Sequence, residues 1–244
     1  MVGRESLTPC SITTLTCNAE LGLVVTDDGV KGCVERALPL YRSRCWVMQQ
    51  RWGGLVSRAK IPPRYLGCTP DRMVPTLVPP TMSGAISVVA GYRDNICERI
   101  KKGEGLIIKG PTGTLKTSAA VSCLMQALTR GYSGLFVLSV SLLDSILNLR
   151  ALSPEQGADL ERKIRDVHIL LLDDVGDERS NSWAESKLVS LILERYQGMK
   201  STIITTNLRA EELRERYAAK IIDRIRQSAV IVNMQGESLR KQVR

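Results

Sequence analysis

The sequence has few aromatic residues and no long apolar run. Phenylalanine, tyrosine and tryptophan make up 4% of the 244 residues, too few for the broad platforms on which single-stranded bases stack. Any contact with nucleic acid is therefore expected to be mainly to phosphates. No stretch of about eighteen apolar residues occurs, so we expect no membrane span and no membrane partner. The N-terminal residues also lack the basic and apolar regions of a secretory signal peptide.

Close cysteine pairs are missing as well. The chain has seven cysteines, an odd count, and their wide spacing gives no dense disulfide framework. We therefore expect a cytoplasmic protein in reducing conditions. What is abundant is positive charge: the formal net charge is +9. This balance favours a polyanionic partner such as nucleic acid, or an acidic protein face, over a basic surface without a partner.

A proline-rich stretch divides the chain. Residues 61–84 contain six prolines, which are excluded from helix interiors and central strands. We predict a linker here. It separates a basic, cysteine-containing N-terminal module at residues 1–60 from a larger α/β domain at residues 85–244.

Apolar runs of strand length alternate with amphipathic segments in the larger domain. The runs are nearly all apolar, as expected for strands that are covered on both faces. This alternation predicts a parallel sheet with helical crossovers. The predicted strands are 106–109, 135–139, 168–172, 202–206 and 230–233. The predicted helices are 116–130, 141–150, 154–166, 183–196, 210–217 and 219–227.

The segment GPTGTLKT follows the first predicted strand and opens a predicted helix. It differs from the phosphate-binding pattern G-x-x-x-x-G-K-[ST] at one position. In such a loop backbone N–H groups and a helix N-terminus point at phosphates. Lys116 would reach the β- and γ-phosphates, and the Thr117 hydroxyl would bind Mg²⁺. The predicted nucleotide-binding residues here are Gly110, Pro111, Thr112, Gly113, Thr114, Leu115, Lys116 and Thr117.

Leu115 occupies the place of the last glycine in that pattern. Because this position lies where the loop enters the helix, we expect near-helical backbone angles and a side chain that points away from the phosphates. The substitution puts turnover in doubt more than binding. The alternative is a loop that no longer functions.

Two adjacent carboxylates follow the third predicted strand, in the segment HILLLDDVGDE. The carboxyl ends of parallel strands form the ligand edge of an open sheet. Asp173 would therefore hold Mg²⁺, and Asp174 would orient and activate the attacking water. The alternative is that the pair caps the following turn.

Asn207 ends the fourth predicted strand, in STIITTNLRAEEL. Its amide would position the water between the loop and the carboxylates. A helix cap is the competing role for an asparagine at this position.

The order of these motifs resembles the AAA+ ATPases of the DnaC/DnaI helicase-loader and IstB transposition-helper group. The resemblance covers Tyr92–Arg244, including IIDRI and GESLR. It implies a P-loop NTPase fold of the AAA+ type: a five-stranded parallel sheet sandwiched by helices, without a C-terminal lid, preceded by a small basic N-terminal module. It also implies ATP and Mg²⁺ as cofactors, and a homo-oligomer, ring or helical filament, on single-stranded DNA.

The resemblance also assigns roles to individual residues. Lys116 and Thr117 become the Walker A pair, Asp173 and Asp174 the Walker B pair, and Asn207 the first sensor. Asp174 stands where AAA+ proteins usually have a glutamate, which favours a slow switch over a fast motor.

Two arginines complete the site that the resemblance implies. Arg224 matches an arginine finger that reaches the ATP of a neighbouring subunit, and Arg226 is its rival. Arg240 matches a second sensor. Each of these arginines is alternatively a solvated helix charge. The resemblance further places single-stranded DNA contacts before the Walker B strand, where the candidate cations are Arg150, Arg162, Lys163 and Arg165.

The N-terminal module carries four cysteines, Cys10, Cys17, Cys33 and Cys45. Zinc ligands normally come in closer pairs, so buried thiols are favoured over a four-cysteine Zn²⁺ site. The resemblance implies that this module contacts a replicative helicase or another recruited protein.

We predict an ATPase that loads a replicative helicase onto DNA and is released by hydrolysis. A transposition helper, whose partner is a transposase, is the close alternative. A scaffold that binds ATP without useful turnover is a third. A small-molecule phosphotransferase is less favoured, since no acceptor pocket signature follows the loop.

Overall fold

The computed structural model describes residues 17–18, 23–26, 29–32, 54–66, 68, 73, 78–142, 153–176, 182–217, 223–224 and 226–239. Within the predicted N-terminal module it describes a small antiparallel sheet, in which β1, β2 and β3 pair in sequence order. These strands are Cys17–Asn18, Leu23–Thr26 and Gly29–Gly32.

A five-stranded sheet forms the larger domain. Its strands are β4 (Gly105–Lys109), β5 (Gly134–Leu138), β6 (Ile169–Val175), β7 (Ser201–Thr206) and β8 (Ala229–Asn233). They lie in the order β5-β6-β7-β4-β8, and every neighbouring pair is parallel. The prediction of a parallel sheet from five apolar runs is confirmed, with each strand within a few residues of its predicted bounds.

Helices cover both faces of this sheet. They are α1 (Pro80–Asp94), α2 (Ile96–Lys101), α3 (Lys116–Thr129), α4 (Pro154–Asp166), α5 (Ser182–Gln197) and α6 (Ala210–Tyr217). Of the other two predicted helices, residues 141–142, 223–224 and 226–227 are helical, and most of the rest lies outside the described residues. No helix among the described residues is long and apolar enough to cross a membrane.

Successive residues of the strands enter opposite halves of the core. In β4, Leu106 and Ile108 join the apolar cluster beneath α1 and α3, whereas Ile107 joins the cluster beneath α5 and α6. Side chains of a strand alternate between faces, so a strand covered on both sides must be apolar throughout. This burial explains why the runs are continuous rather than alternating.

The predicted linker differs from the structure at both ends. Ile61 is buried in the core of the larger domain, and α1 begins at Pro80, inside the range assigned to the linker. Proline is excluded from helix interiors but favoured in the first helical turn, where its missing N–H has no partner in any case. The prolines at 79 and 80 therefore mark a helix start.

Candidate nucleotide-binding site

The predicted phosphate loop joins β4 to α3 along the carboxyl edge of the sheet. Beside it lies a cavity of about 290 Å³. Three parts of the chain that the sequence predicts to form one site contribute to this cavity: the loop itself, Asp174 of the carboxylate pair and Asn207. The lining residues are Thr112, Gly113, Thr114, Leu115, Lys116, Thr117, Ser118, Asp174 and Asn207, together with Arg64, Tyr65 and Leu239.

Two loop glycines lie against the segment that follows β8. A Cβ atom on Gly110 would be 2.1 Å from the carbonyl oxygen of Met234, and one on Gly113 would be 2.0 Å from Oγ of Ser238. The N–H of Leu239 donates a hydrogen bond to the carbonyl of Gly113 at 3.0 Å. The loop therefore requires glycine at these two positions, because the segment after β8 approaches its backbone closely.

The backbone of Leu115 is left-handed, with φ of 63° and ψ of 13°. The expectation of near-helical angles at this position was wrong. The residue precedes the first residue of α3, and the chain turns there through a conformation that costs an ordinary residue about 1–2 kcal/mol. Glycine is usual at this position because it avoids that cost. The Leu115 side chain packs against the apolar core, which offsets part of the strain.

Lys116 connects the loop to Asn207, the residue that follows β7. Its side chain is 6% exposed, and Nζ donates to the carbonyl of Pro111 and to Oδ1 of Asn207, both at 2.7 Å. The amide of Asn207 therefore faces the loop, as its predicted site role requires. The start of α6 has a different capping contact, from the N–H of Arg209 to the Glu212 carboxylate at 2.6 Å.

The two carboxylates lie in an irregular part of β6. Leu172 pairs with Ile204 and Val175 pairs with Thr206, so β6 has one residue more than β7 over this interval. The extra residue is accommodated by a bulge in which Asp174 has φ of 54°. Bulges re-aim side chains and are frequent beside active sites. Here Asp173 is 2% exposed, whereas Asp174 lines the cavity.

A threonine hydroxyl of β7 stabilises this bulge. Oγ1 of Thr205 donates to Oδ1 of Asp173 at 2.6 Å and accepts the N–H of Asp174 at 2.9 Å. The hydroxyl therefore replaces the ladder hydrogen bond that the bulge interrupts and orients one carboxylate. From the opposite side, Oγ of Ser139 donates to the carbonyl of Asp174 at 2.6 Å.

Burial raises the pKa of Asp173, and the negative charge of Asp174 adds to the effect. Hydrogen bonds from Thr205 and Thr117 and the charge of Lys116 lower the pKa but do not cancel the shift. A buried carboxylate with this deficit of positive charge beside a threonine hydroxyl suits a hard cation, because Mg²⁺ prefers oxygen ligands. The residues present therefore fit the predicted Mg²⁺, with Thr117 and Asp173 as its ligands.

Of the predicted arginines, Arg224 and Arg226 are among the described residues. Arg224 is exposed and is not among the lining residues of the loop cavity. Arg226 lines a separate apolar cavity of about 60 Å³ on the α5–α6 face. Arg240 lies outside the described residues, although Leu239 before it contacts the loop.

The candidate DNA-binding cations and zinc ligands are only partly described. Arg162 pairs with Asp159 at 3.2 Å and Arg165 with Glu194 at 3.1 Å, while Lys163 is exposed and Arg150 lies outside the described residues. Cys10, Cys33, Cys45 and the side chain of Cys17 also lie outside them, so the Zn²⁺ site stays a prediction. Where side chains are described, no group of three or more potential metal ligands occurs.

Sequence reasoning missed three residues of the site: Thr205, Arg64 and Tyr65. Thr205 acts on a carboxylate 32 positions away, a distance at which no periodic pattern exists. Arg64 and Tyr65 belong to the segment IPPRY at the start of the predicted linker, where no motif of the nucleotide site points to them.

The strand order, the loop between β4 and α3 and the carboxylates at the neighbouring strand end define a P-loop NTPase. Residues 94–244 match the family described as IstB-like ATP binding protein. The chain belongs to this family. The resemblance stated from the motifs is thereby confirmed.

Similar proteins fall into two groups. A putative insertion sequence ATP-binding protein, y4uH of Sinorhizobium fredii (strain NBRC 101917 / NGR234), is 31% identical over 147 residues, which cover 58% of each chain. The replicative helicase loader DnaI of Bacillus subtilis (strain 168) is 25% identical over 155 residues, covering 57% of this chain and 48% of the loader. The chain thus spans 58% and 48% of the length of these two relatives.

Among solved structures, the crystal structure of the DnaC helicase loader has a TM-score of 0.64 at 23% identity. The likeness covers 71% of this chain and 100% of the DnaC chain. At this identity it shows the fold alone, and the fold is the predicted P-loop NTPase fold.

Proposed function

We propose that this chain is an ATP-hydrolysing switch that assists DNA transposition. The observation that carries the proposal is the convergence of Lys116, Asp174 and Asn207 on one cavity beside a phosphate loop. The family match and the relatives support the biological setting, since most of the relatives are insertion-sequence ATP-binding proteins.

The residues of the cavity have separable tasks. Lys116 exchanges its contacts with Pro111 and Asn207 for phosphate oxygens when nucleotide binds, and the Asn207 amide then orients a water molecule. Asp174 accepts the proton of that water as it attacks the terminal phosphate. Thr117 and Asp173 would hold Mg²⁺, which would supply neutralisation of charge on the phosphate oxygens.

The proposed switch is an oligomer on single-stranded DNA. Arg224 is exposed on the chain, as a finger that acts on a neighbouring subunit must be. Such fingers contribute roughly 10³–10⁵ in rate. Exposed cations of α4, such as Lys163, contact phosphates without reading sequence.

Helicase loading is the second candidate. The relative DnaI is named as a replicative helicase loader, and the part of the chain before the ATPase domain would contact the helicase. A non-hydrolysing scaffold is the third, because Leu115 strains the loop and Asp174 is shorter than a glutamate. The first two candidates require ATP hydrolysis by this site, whereas the third requires only ATP binding.

A mixing experiment tests hydrolysis and the finger together. ATP hydrolysis is measured with and without single-stranded DNA for the wild type, Asp174→Asn, Arg224→Ala and an equal mixture of the two variants. Each variant alone should lose at least 100-fold in rate. The mixture should recover part of it, because an intact site of the Arg224→Ala subunit meets an intact finger of the Asp174→Asn subunit. Arg226→Ala is the control and should retain its rate.

Two outcomes would contradict the proposal. Wild-type rates in both single variants would remove the catalytic assignment, and no hydrolysis by the wild type under any condition would favour the scaffold. To separate transposition from helicase loading, the transposase and the replicative helicase of the source organism are each added with a non-hydrolysable ATP analogue. We expect a nucleotide-dependent complex, seen by size-exclusion chromatography, with the transposase only.

A further inference from the structure

Arg216 holds α6 beside the carboxylate half of the site. Its Nε donates to the Glu185 carboxylate of α5 at 3.1 Å, and its Nη1 donates to the carbonyl of Gly176. Gly176 lies two residues after Asp174 in the chain. Because both side chains of the ion pair are mostly buried, solvent and salt screen it little. The helix α6 therefore has a fixed position relative to the nucleotide site.

Arg214, on the same helix, contacts a second segment of the chain. Its Nη2 donates to Oδ1 of Asp223 at 2.9 Å, and Asp223 directly precedes Arg224, the predicted arginine finger. The two side chains of this ion pair are 43% and 50% exposed. A pair this exposed contributes little to the stability of a fold. We therefore expect its effect on the position of the segment that carries Arg224 rather than on folding.

The helical geometry of that segment determines the direction of Arg224. Residues 223–224 and 226–227 are helical, and successive side chains of a helix are about 100° apart. Asp223 faces α6, and Arg226 lines the apolar cavity on the α5–α6 face. Arg224 is then about 100° from Asp223 and about 160° from Arg226 around the helix axis. It is exposed and points away from α6, as a finger for a neighbouring subunit must.

We propose that Arg214 is a positioning residue for Arg224: its ion pair with Asp223 favours the rotation of the helical segment in which the finger faces a neighbouring subunit. The inference rests on the proposed function, in which Arg224 acts on the ATP of that neighbour. An exposed ion pair changes the population of one arrangement by up to about fivefold. Loss of Arg214 should therefore reduce hydrolysis by about threefold to fivefold, far less than loss of the finger itself.

The test separates the finger of one subunit from the ATP site of the next. Asp174→Asn is the finger donor, which lacks hydrolysis, and Arg224→Ala is the site donor, which lacks a finger. Arg214→Gln, which removes the charge but keeps a long polar side chain, is added to one donor before the two are mixed and ATP hydrolysis is measured. In the finger donor it should lower the rate of the mixture about threefold to fivefold. In the site donor it should leave the rate unchanged.

Further variants of the finger donor test the ion pair itself. Asp223→Asn should have the effect of Arg214→Gln, and the two substitutions together should lower the rate no further. Arg214→Lys, which keeps the charge, should restore most of the rate. Glu194→Gln is the matched control, because it breaks a similarly exposed pair between α5 and α4, to Arg165 at 3.1 Å. It should leave the rate unchanged.

The outcomes distinguish this inference from the proposed function. A loss from Arg214→Gln that is as large in the site donor as in the finger donor, or no loss in the finger donor, overturns the positioning role. Recovery of hydrolysis on mixing the two parent donors would still support the finger in that case. No recovery with the parent donors overturns both the finger and the inference.

Discussion

The two halves of the candidate site are built in different ways. The phosphate loop is shaped by close backbone contacts, since the chain after β8 leaves no room for a Cβ atom on Gly110 or Gly113. The carboxylate half is shaped by side chains, since one hydroxyl of Thr205 holds both the bulge and the Asp173 carboxylate. Steric repulsion therefore fixes the geometry of the phosphate loop, and hydrogen bonding fixes the geometry of the carboxylates.

This difference predicts different responses to substitution. Repulsion rises steeply at short distance, and a tightly packed backbone cannot relax around an added atom. A lost hydrogen bond has a bounded cost, about 1–3 kcal/mol when a buried partner is left unsatisfied. Substitutions of Gly110 and Gly113 should therefore lose most of the nucleotide binding, whereas substitutions in the carboxylate half should lose part of it.

Gly113→Ala should have the largest effect. The added methyl group would lie 2.0 Å from Oγ of Ser238, at a backbone φ of 82°. We expect loss of nucleotide binding by at least about 100-fold, which is about 2.7 kcal/mol, measured with a fluorescent ATP analogue. Gly131→Ala is the control for backbone strain alone. Gly131 has a similar φ of 85°, but nothing lies within 4 Å of its Cβ position.

The glycine control should lose about 1–2 kcal/mol of stability from its left-handed backbone and keep its nucleotide affinity. Equal affinities in the two alanine variants would show that the contact with the segment after β8 is unimportant. The same result would mean that steric repulsion does not shape the phosphate loop.

Thr205→Val should have an intermediate effect. Valine has the shape of threonine but leaves the N–H of Asp174 and the Asp173 carboxylate without this partner. We expect unfolding free energy to fall by about 1–3 kcal/mol and the Mg²⁺ requirement for nucleotide binding to rise by about tenfold. Thr206→Val is the matched control, because that hydroxyl bonds to the carbonyl of Val175 and the N–H of Leu208 instead.

The control should lose stability without a change in Mg²⁺ requirement. If both valine variants changed the metal requirement alike, the effect would belong to the strand β7 as a whole. Orientation of Asp173 by one hydroxyl would then be disproved.

The same contrast explains what the sequence predicts and what it does not. The strands are predictable because each is buried on both faces and therefore has a continuous apolar run. The loop and the carboxylates are predictable because phosphate and metal chemistry restrict residue types at fixed spacing. Thr205 is not, because it acts on a carboxylate that is remote in the chain and close only after folding.

Leu115 shows the opposite failure. The sequence indicates its position in the motif but not its backbone conformation, because a leucine favours right-handed angles. The left-handed angle is imposed by the turn from the loop into α3. Local preference was therefore overridden by the path of the chain.

The stability that the carboxylate half contributes should depend on pH through Asp173. Burial raises the pKa of Asp173, so the folded protein binds a proton more readily than the unfolded chain does. Stability of the free protein is then lost as pH rises from the ordinary aspartate value of about 3.9 towards the raised value. Thermal melts of the wild type and Asp173→Asn should show the wild type gaining stability relative to the variant as pH falls through that window. A constant difference would contradict the buried, metal-ready state of the carboxylate.

The smallest expected effect is at Leu115, where backbone strain and side-chain packing act on the same residue of the loop. Leu115→Ala removes the side chain that packs on the core but keeps the left-handed strain, and Leu115→Gly removes both. Relief of about 1–2 kcal/mol of strain is partly offset by about 0.4–1 kcal/mol from the greater freedom of glycine in the unfolded chain. The glycine variant should therefore be more stable than the alanine variant by about 0.5–1 kcal/mol in urea unfolding. An alanine variant as stable as the glycine variant would mean that the loop relaxes to right-handed angles, and that strain has no part in the phosphate half of the site.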